Sequence, residues 1–306
     1  MSNLRSISTP SPAAALLAIG LLTAPVPVQL EQQFDQCAGA VDTAPALRID
    51  ACSALIASNA LDPINLAAAY DNRGNAYAAE HDFDRAIADY AQATKLNPDD
   101  ATAFTNLGLA YAGNAAYDRA VTAYNHALVL RPNDAPALDS RGRAYAKLGQ
   151  FDHAIADYNA ALKLAPSTAI FFDRGNAYAG EGQYDRAIAD YDAALKLAPN
   201  SATVLNNRGL ARAAKGQYDA AIADYDAALK LEPNSAFVFN NRGLALAQQG
   251  HDRRAIADYN RAIKINPGYA AAYYNRGLAR QRDGDSKAGD ADIAKAKQID
   301  PGIASR

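Results

Sequence analysis

The sequence predicts an all-α protein built from tandem helical hairpins, because three residue types recur with one period. Glycine recurs at steps of 33 or 34 residues, at Gly74, Gly108, Gly142, Gly175, Gly209, Gly243 and Gly277. An alanine column has the same period: Ala93, Ala127, Ala161, Ala194, Ala228, Ala262 and Ala296. A proline column ends each copy: Pro98, Pro132, Pro166, Pro199, Pro233, Pro267 and Pro301. Self-similarity at a period of this length is typical of solenoids.

Each copy predicts two helices joined by a turn. The turn contains a glycine such as Gly182, a residue suited to a helix C-terminus. The second helix carries Ala187, Tyr191 and Ala194 at spacings of four and three, then Leu197, and these are expected on one buried face. The tyrosine is expected to fill the gap to the next hairpin. Glycine inside a helix costs about 1 kcal/mol relative to alanine, so its repeated use predicts a close approach of the paired helix.

The columns of aromatic residue, Gly, Tyr, Gly, Ala, Tyr, Ala and Pro resemble the tetratricopeptide repeat family. The resemblance covers Ala67 to Ile303. It implies a right-handed superhelical solenoid of helix-turn-helix units, whose first helices line a concave groove for a peptide or partner protein. Seven units are expected, at residues 67–100, 101–134, 135–167, 168–201, 202–235, 236–269 and 270–303.

The N-terminal segment predicts export. Residues 1–28 are expected to be a signal peptide, because Arg5 precedes the uncharged apolar run Ala13 to Ala24. The mature protein is then expected in the periplasm or outside the cell. A cytoplasmic location is the alternative.

Residues 29–66 predict a degenerate helical cap on the first repeat. They contain both cysteines of the chain, Cys37 and Cys52. In an exported protein, two cysteines so close together are expected to form a disulfide. Two reduced, buried thiols in a cytosolic protein are the alternative.

Composition argues against several classes of function. The net charge of -3 and the pI near 5.8 indicate no basic surface for nucleic acid. No apolar run reaches the ~18–20 residues that a stable membrane span needs. The four histidines, His81, His126, His153 and His251, occupy different repeat positions. The sequence therefore predicts no catalytic residues, no metal site, no cofactor and no enzymatic activity.

Two charged columns predict a structural network. Arginine precedes the glycine in six repeats, and aspartate precedes the second-helix tyrosine or its equivalent in six. Charges repeated once per hairpin are more typical of salt bridges between helices than of an acid and base pair.

A third polar column is the candidate binding site. Two residues before the glycine stand Asn72, Asn106, Asn207, Asn241 and Asn275, interrupted by Ser140 and Asp173. Resemblance to the repeat superhelix of O-linked N-acetylglucosamine transferases implies contacts to a peptide backbone. A carboxamide also offers a donor and an acceptor together, as a peptide unit does. The alternative is that these amides cap or bridge neighbouring helices.

These observations predict a non-enzymatic scaffold for protein–protein interaction, with a protein or an extended peptide as its partner. One alternative is an accessory subunit that positions a separate envelope enzyme. Another is a cytosolic regulatory adaptor.

Overall fold

The computed structural model describes residues 28–39 and 43–305, and this part of the chain contains sixteen α-helices and no strand. The predicted all-α fold class is thereby confirmed. The apolar run Ala13 to Ala24 lies outside the described residues. The helices are α1 (Val28–Ala38), α2 (Pro45–Ala57), α3 (Pro63–Ala79), α4 (Phe83–Leu96), α5 (Ala101–Gly113), α6 (Tyr117–Leu130), α7 (Ala135–Lys147), α8 (Phe151–Leu164), α9 (Thr168–Gly180), α10 (Tyr184–Leu197), α11 (Ala202–Ala214), α12 (Tyr218–Leu231), α13 (Ala236–Gln248), α14 (Asp252–Ile265), α15 (Ala270–Arg282) and α16 (Ser286–Ile299).

From α3 onward the helices follow one another as seven hairpins, each with an odd-numbered first helix and an even-numbered second helix. The described chain forms two compact units, which divide after Ala161. Within each unit, consecutive first helices also touch, as α3 touches α5 and α11 touches α13. The second helices α10, α12, α14 and α16 make no such contact with one another. First helices therefore lie on the more crowded side of the second unit.

The turns inside the hairpins need a residue with a left-handed backbone. Gly182 and Gly216 have φ of 73° and 74°, and His81 and Ala115 adopt φ of 61° and 56° at the same place in the first two hairpins. A residue with a Cβ is strained by roughly 1–2 kcal/mol in this region, whereas glycine is not. Glycine thus occupies the predicted turn position except in those two hairpins.

The glycines inside the first helices lie under tyrosine rings. A Cβ on Gly175 would lie 2.7 Å from Cε1 of Tyr191, which is on the paired helix of the same hairpin. Tyr191 is also packed with Val204 and Ala211 of the next hairpin. The tyrosine therefore fills a gap inside its own hairpin as well as the predicted gap between hairpins.

The leucine that ends the second helix is not in the core, contrary to prediction. Leu197 is 55% exposed, and Leu164 and Leu231 are exposed as well. At about 100° per residue, Leu197 is turned by roughly 80° from Ala187, and it is the last residue of its helix. Leu195, which lies one turn beyond Tyr191, packs against the core instead.

The cap packs on the first hairpin. A disulfide joins Cys37 on α1 to Cys52 on α2, with the two Cα atoms 4.8 Å apart. Both half-cystines are buried, together with Leu55 of α2 and Ala69 of α3. Closing a loop of this length stabilises the folded chain by roughly 3 kcal/mol. The predicted disulfide is confirmed.

The charged columns form ion pairs with two parallel hydrogen bonds. In the third hairpin, Nε of Arg141 donates to Oδ2 of Asp157 at 2.8 Å, and Nη2 donates to Oδ1 at 2.6 Å. Nη1 of Arg141 donates to Oδ1 of Asn125, at 2.7 Å, on the second helix of the preceding hairpin. This arginine therefore joins three helices. The same pairing links Arg73–Asp89, Arg174–Asp190, Arg208–Asp224, Arg242–Asp258 and Arg276–Asp292.

The second hairpin replaces both partners together. Leu107 stands in the arginine column and Ala123 in the aspartate column, and both are buried. An unpaired buried carboxylate is strongly destabilising, whereas exchanging both charges for apolar groups can be nearly neutral. The fold therefore accepts the apolar pair in this hairpin.

Replacing the arginine and aspartate of the third hairpin with the leucine and alanine of the second hairpin provides a test. We expect Arg141→Leu alone to lower the free energy of unfolding by about 3–5 kcal/mol, because Asp157 would remain buried without its partner. The double variant Arg141→Leu/Asp157→Ala should recover most of that loss. Urea titration of the two single variants, the double variant and the parent measures the coupling. Strictly additive losses would contradict the pairing.

Candidate protein-interaction site

The five predicted asparagines all lie half-buried on first helices. Asn72 and Asn106 are on α3 and α5 in the first unit. The other three, Asn207, Asn241 and Asn275, are on α11, α13 and α15 in the second unit. We call these five residues the asparagine column.

Members of the asparagine column bridge neighbouring hairpins. Nδ2 of Asn241 donates to Oδ1 of Asn206 at 3.0 Å, and Nδ2 of Asn275 donates to Oδ1 of Asn240 at the same distance. Asn106 donates in the same way to Oδ1 of Asp71, at 3.0 Å. In each case the acceptor lies in the preceding hairpin, 35 residues earlier in the chain. These bonds hold each side chain against the neighbouring helix.

Asn207 bonds differently, because the corresponding acceptor position holds Phe172. Its Nδ2 instead donates to Oδ1 of Asn176, at 2.9 Å, on the preceding first helix. The same oxygen accepts the hydroxyl of Tyr191 at 2.8 Å. The bridge is therefore kept although its partner has changed.

The bridging bonds leave part of each amide available. The carbonyl oxygens of Asn241 and Asn275 accept no hydrogen bond from the described residues, and each amide nitrogen keeps a second proton. Because the bridge restricts the rotamer, the oxygen has a defined direction. Such an amide can bind a peptide unit with little further loss of side-chain entropy.

Exposed leucines flank the asparagine column, at Leu109 in the first unit and at two positions in the second. Leu210 and Leu244 follow the helix glycines directly and are 43% and 42% exposed. They lie three residues beyond Asn207 and Asn241, so they share the same face of the first helices. We use the term ladder face for Asn206, Asn207, Leu210, Asn240, Asn241, Leu244, Tyr274, Asn275 and Leu278.

The ladder face contains no charged side chain, whereas the corresponding positions of the first unit do. Asp71 and Asp139 occupy the acceptor position there, and Arg143 occupies the leucine position. Asp139 is buried and pairs with Arg143 one turn later. This helix face is therefore uncharged in the fifth to seventh hairpins, whereas it carries charges in the first and third hairpins and, at Asp173, in the fourth.

Asp71 titrates at an unusually high pH for a carboxyl group. Burial raises its pKa to about 6, from the usual 3.8, although the amides of Asn106 and Asn75 hydrogen-bond the charged form. The folded chain therefore binds this proton more tightly than the unfolded chain. The resulting stabilisation is fully present below the unfolded pKa of 3.8 and is lost as the pH rises through about 6.

Asp71→Asn tests this titration. The variant carries the residue that Asn206 and Asn240 provide at the same position, so the bridge from Asn106 is expected to persist. We expect the free energy of unfolding of the variant, relative to the parent, to rise between about pH 4 and pH 7. Denaturant titrations at both pH values measure this difference. A difference that does not change with pH would refute the raised pKa.

The histidines do not form a site. All four are exposed, and His126 and His153 stack on Phe104 and Tyr145 with ring centroids 5.1 Å apart. The described residues contain no group of three or more His, Cys, Asp or Glu that could hold a metal ion. Within the same part of the chain, no helix combines the length and apolar character needed to cross a membrane.

The chain belongs to the tetratricopeptide repeat family. The family model described as TPR repeat matches residues 65–114, 175–216, 209–250 and 253–284. A second model, described as Tetratricopeptide repeat, matches residues 110–174. The resemblance inferred from the residue columns is confirmed.

Solved structures of repeat proteins share the fold. A tetratricopeptide repeat protein from Parabacteroides merdae ATCC 43184 has a TM-score of 0.64 at 20% identity, over 77% of this chain and 95% of that one. YrrB, described as a TPR protein with an unusual peptide-binding site, has a TM-score of 0.52 at 23% identity, over 60% and 95%. MamA has a TM-score of 0.50 at 26% identity, over 56% and 94%. No curated protein matches the chain.

Proposed function

We propose that the chain is a non-enzymatic scaffold that binds an extended peptide segment of a partner protein along its asparagine column, chiefly on the ladder face. The observation that carries this proposal is the set of bridged asparagines. Their amides are held in register from hairpin to hairpin, and the oxygens of Asn241 and Asn275 accept no bond from the described chain.

The spacing of the hairpins suits an extended peptide. Packed helices lie about 8–10 Å apart, and an extended chain advances about 3.3 Å per residue. One asparagine per hairpin would then meet every third peptide unit. Asparagine recognises the backbone whatever the side chain, and Leu210 and Leu244 would contact the side chains between these units.

The comparisons support the class of partner. YrrB, which shares the fold, is described as having a peptide-binding site. The four histidines are dispersed and exposed, which is consistent with a scaffold. An accessory subunit for a separate enzyme would use the same face, and it would differ only in the identity of the captured protein.

Replacing the second-unit asparagines tests the proposal. We expect Asn207→Ala/Asn241→Ala/Asn275→Ala to weaken binding of the partner that crosslinking and mass spectrometry identify. Each lost hydrogen bond is worth roughly 0.5–1.5 kcal/mol net, so three should raise Kd by about a hundredfold. Isothermal titration calorimetry measures the affinity.

A matched control separates binding from bridging. Asn206→Ala/Asn240→Ala removes the acceptors of the bonds from Asn241 and Asn275 but leaves the column itself intact. It should bind more tightly than the triple variant, and Lys196→Ala/Lys230→Ala on the second helices should bind as the parent does. If the triple variant binds as well as the parent, the column is only structural.

We further infer that the chain is exported, with residues 1–28 as signal peptide, 29–66 as cap and 67–303 as the repeat domain. The Cys37–Cys52 disulfide supports this inference, because such bonds persist in oxidising compartments.

Mass spectrometry of the protein from its native cells tests export. The mature chain is expected to start between Ala24 and Phe34 and to gain two hydrogens upon reduction of the disulfide. A chain that keeps Met1 and has two alkylatable thiols would overturn the inference.

A further inference from the structure

Two adjoining clefts lie at the sixth hairpin, where α14 ends and α13 begins. The larger, of about 710 Å³, is lined by Phe239, Arg242, Arg261, Lys264 and Ile265 among others. The smaller, of about 480 Å³, is lined by Glu232, Phe237 and Asn266 among others. Pro233, Asn234 and Ile265 line both clefts. The clefts therefore form one continuous concave surface around the loop between α12 and α13.

The larger cleft carries two cations that have no anionic partner among the described residues. Arg242 is committed to Asp258 and to Asp226, at 2.7 Å and 2.5 Å. Arg261 and Lys264, by contrast, form no ion pair within the described chain, and both are exposed. They are three residues apart on α14, so they lie on one side of that helix. Their charges are available to an anionic group.

The smaller cleft exposes apolar side chains. Phe237 is 63% exposed, and its ring meets that of Tyr269 edge-on, at 5.1 Å between centroids. Ile265 is 38% exposed and lines both clefts. Contiguous exposed apolar surface beside polar groups is typical of interaction sites. Each cleft has one acidic residue in its lining, but Asp258 of the larger cleft is paired with Arg242, whereas Glu232 of the smaller cleft forms no ion pair within the described chain. The smaller cleft is therefore the less favourable one for an anion.

The sixth hairpin departs from the hairpins that precede it at these positions, and the seventh has Lys295 where the sixth has Arg261. Where it has Arg261, the fourth and fifth hairpins have Ala193 and Ala227. Where it has Phe237, the fifth hairpin has Thr203. The fifth hairpin adopts the same fold with alanine and threonine at these two positions, so packing of the repeat does not require the arginine or the phenylalanine.

We propose that these clefts form a second docking site, which binds an acidic peptide segment that carries a large apolar side chain. The carboxylates lie beside Arg261 and Lys264, and the apolar side chain packs against Phe237 and Ile265. Two cations adjoining an exposed aromatic ring match such a segment in charge and in polarity. The site uses none of the residues of the ladder face, so it goes beyond the proposed function.

Fluorescence anisotropy with the full chain tests the site. The probe is a fluorescein-labelled synthetic peptide of alternating aspartate and phenylalanine. We expect it to bind and to be released as salt is raised from about 0.05 to about 0.5 M, because ions screen exposed charges. Peptides with lysine in place of aspartate, or alanine in place of phenylalanine, are expected to bind at least about tenfold more weakly.

Variants taken from the neighbouring hairpins locate the site. Arg261→Ala and Phe237→Thr introduce the residues of the fifth hairpin, so folding should persist, and each should weaken binding about tenfold. Lys230→Ala and the triple asparagine variant should bind the probe as the parent does. Three results would overturn the proposal: no binding by the parent, equal binding by Arg261→Ala, or a loss confined to the asparagine variant.

Discussion

The contact between a first-helix glycine and a second-helix tyrosine sets the separation of the paired helices, and the other interactions of the hairpin depend on it. Gly209 and Tyr225 are 16 residues apart, and so are Arg208 and Asp224, which directly precede them. A bidentate ion pair tolerates little change in distance. A side chain in place of the glycine would move the ring and, with it, the helix that carries the aspartate. The glycine–tyrosine contact therefore fixes both the distance between the two helices and the geometry of the ion pair.

The last hairpin shows what happens when the tyrosine is absent. Ile293 replaces it, and Gly289 replaces the alanine that precedes it by one turn. A Cβ on Gly289 would lie 2.7 Å from the backbone oxygen of Gly277, so the two helix backbones themselves are now close. Arg276 still pairs with Asp292 in this arrangement. The hairpin compensates for the absent ring with a second glycine.

Sequence alone predicted the features that depend on the period and missed those that depend on rotation about a helix. The period located the hairpins, and the paired columns located the ion pairs. Leu197 was misplaced because a rotation of about 80° separates the end of the helix from its buried face. The acceptors of the asparagine bridges were also missed, although their positions are periodic: Asn206 and Asn240 precede their donors by 35 residues. Arg261 and Phe237 in the clefts are departures from the fifth hairpin, so the periodic columns do not indicate them.

The tyrosine hydroxyls show that the ladder face carries a cost in stability. Asn75 and Asn176 accept the hydroxyls of Tyr90 and Tyr191, at 2.8 Å each. In the fifth and sixth hairpins the corresponding positions hold Leu210 and Leu244. The buried hydroxyls of Tyr225 and Tyr259 in these hairpins have no hydrogen-bond partner in the described chain.

A buried hydroxyl without a partner costs about 1–3 kcal/mol. An asparagine at either leucine position would remove this cost, as it does in the first and fourth hairpins. Leu210 and Leu244 instead expose apolar surface on the face that carries the bridged asparagines. Local departures from the most stable choice are typical of functional sites. The leucines and the unsatisfied hydroxyls thus support the ladder face as a binding surface, by an argument that does not depend on the asparagines.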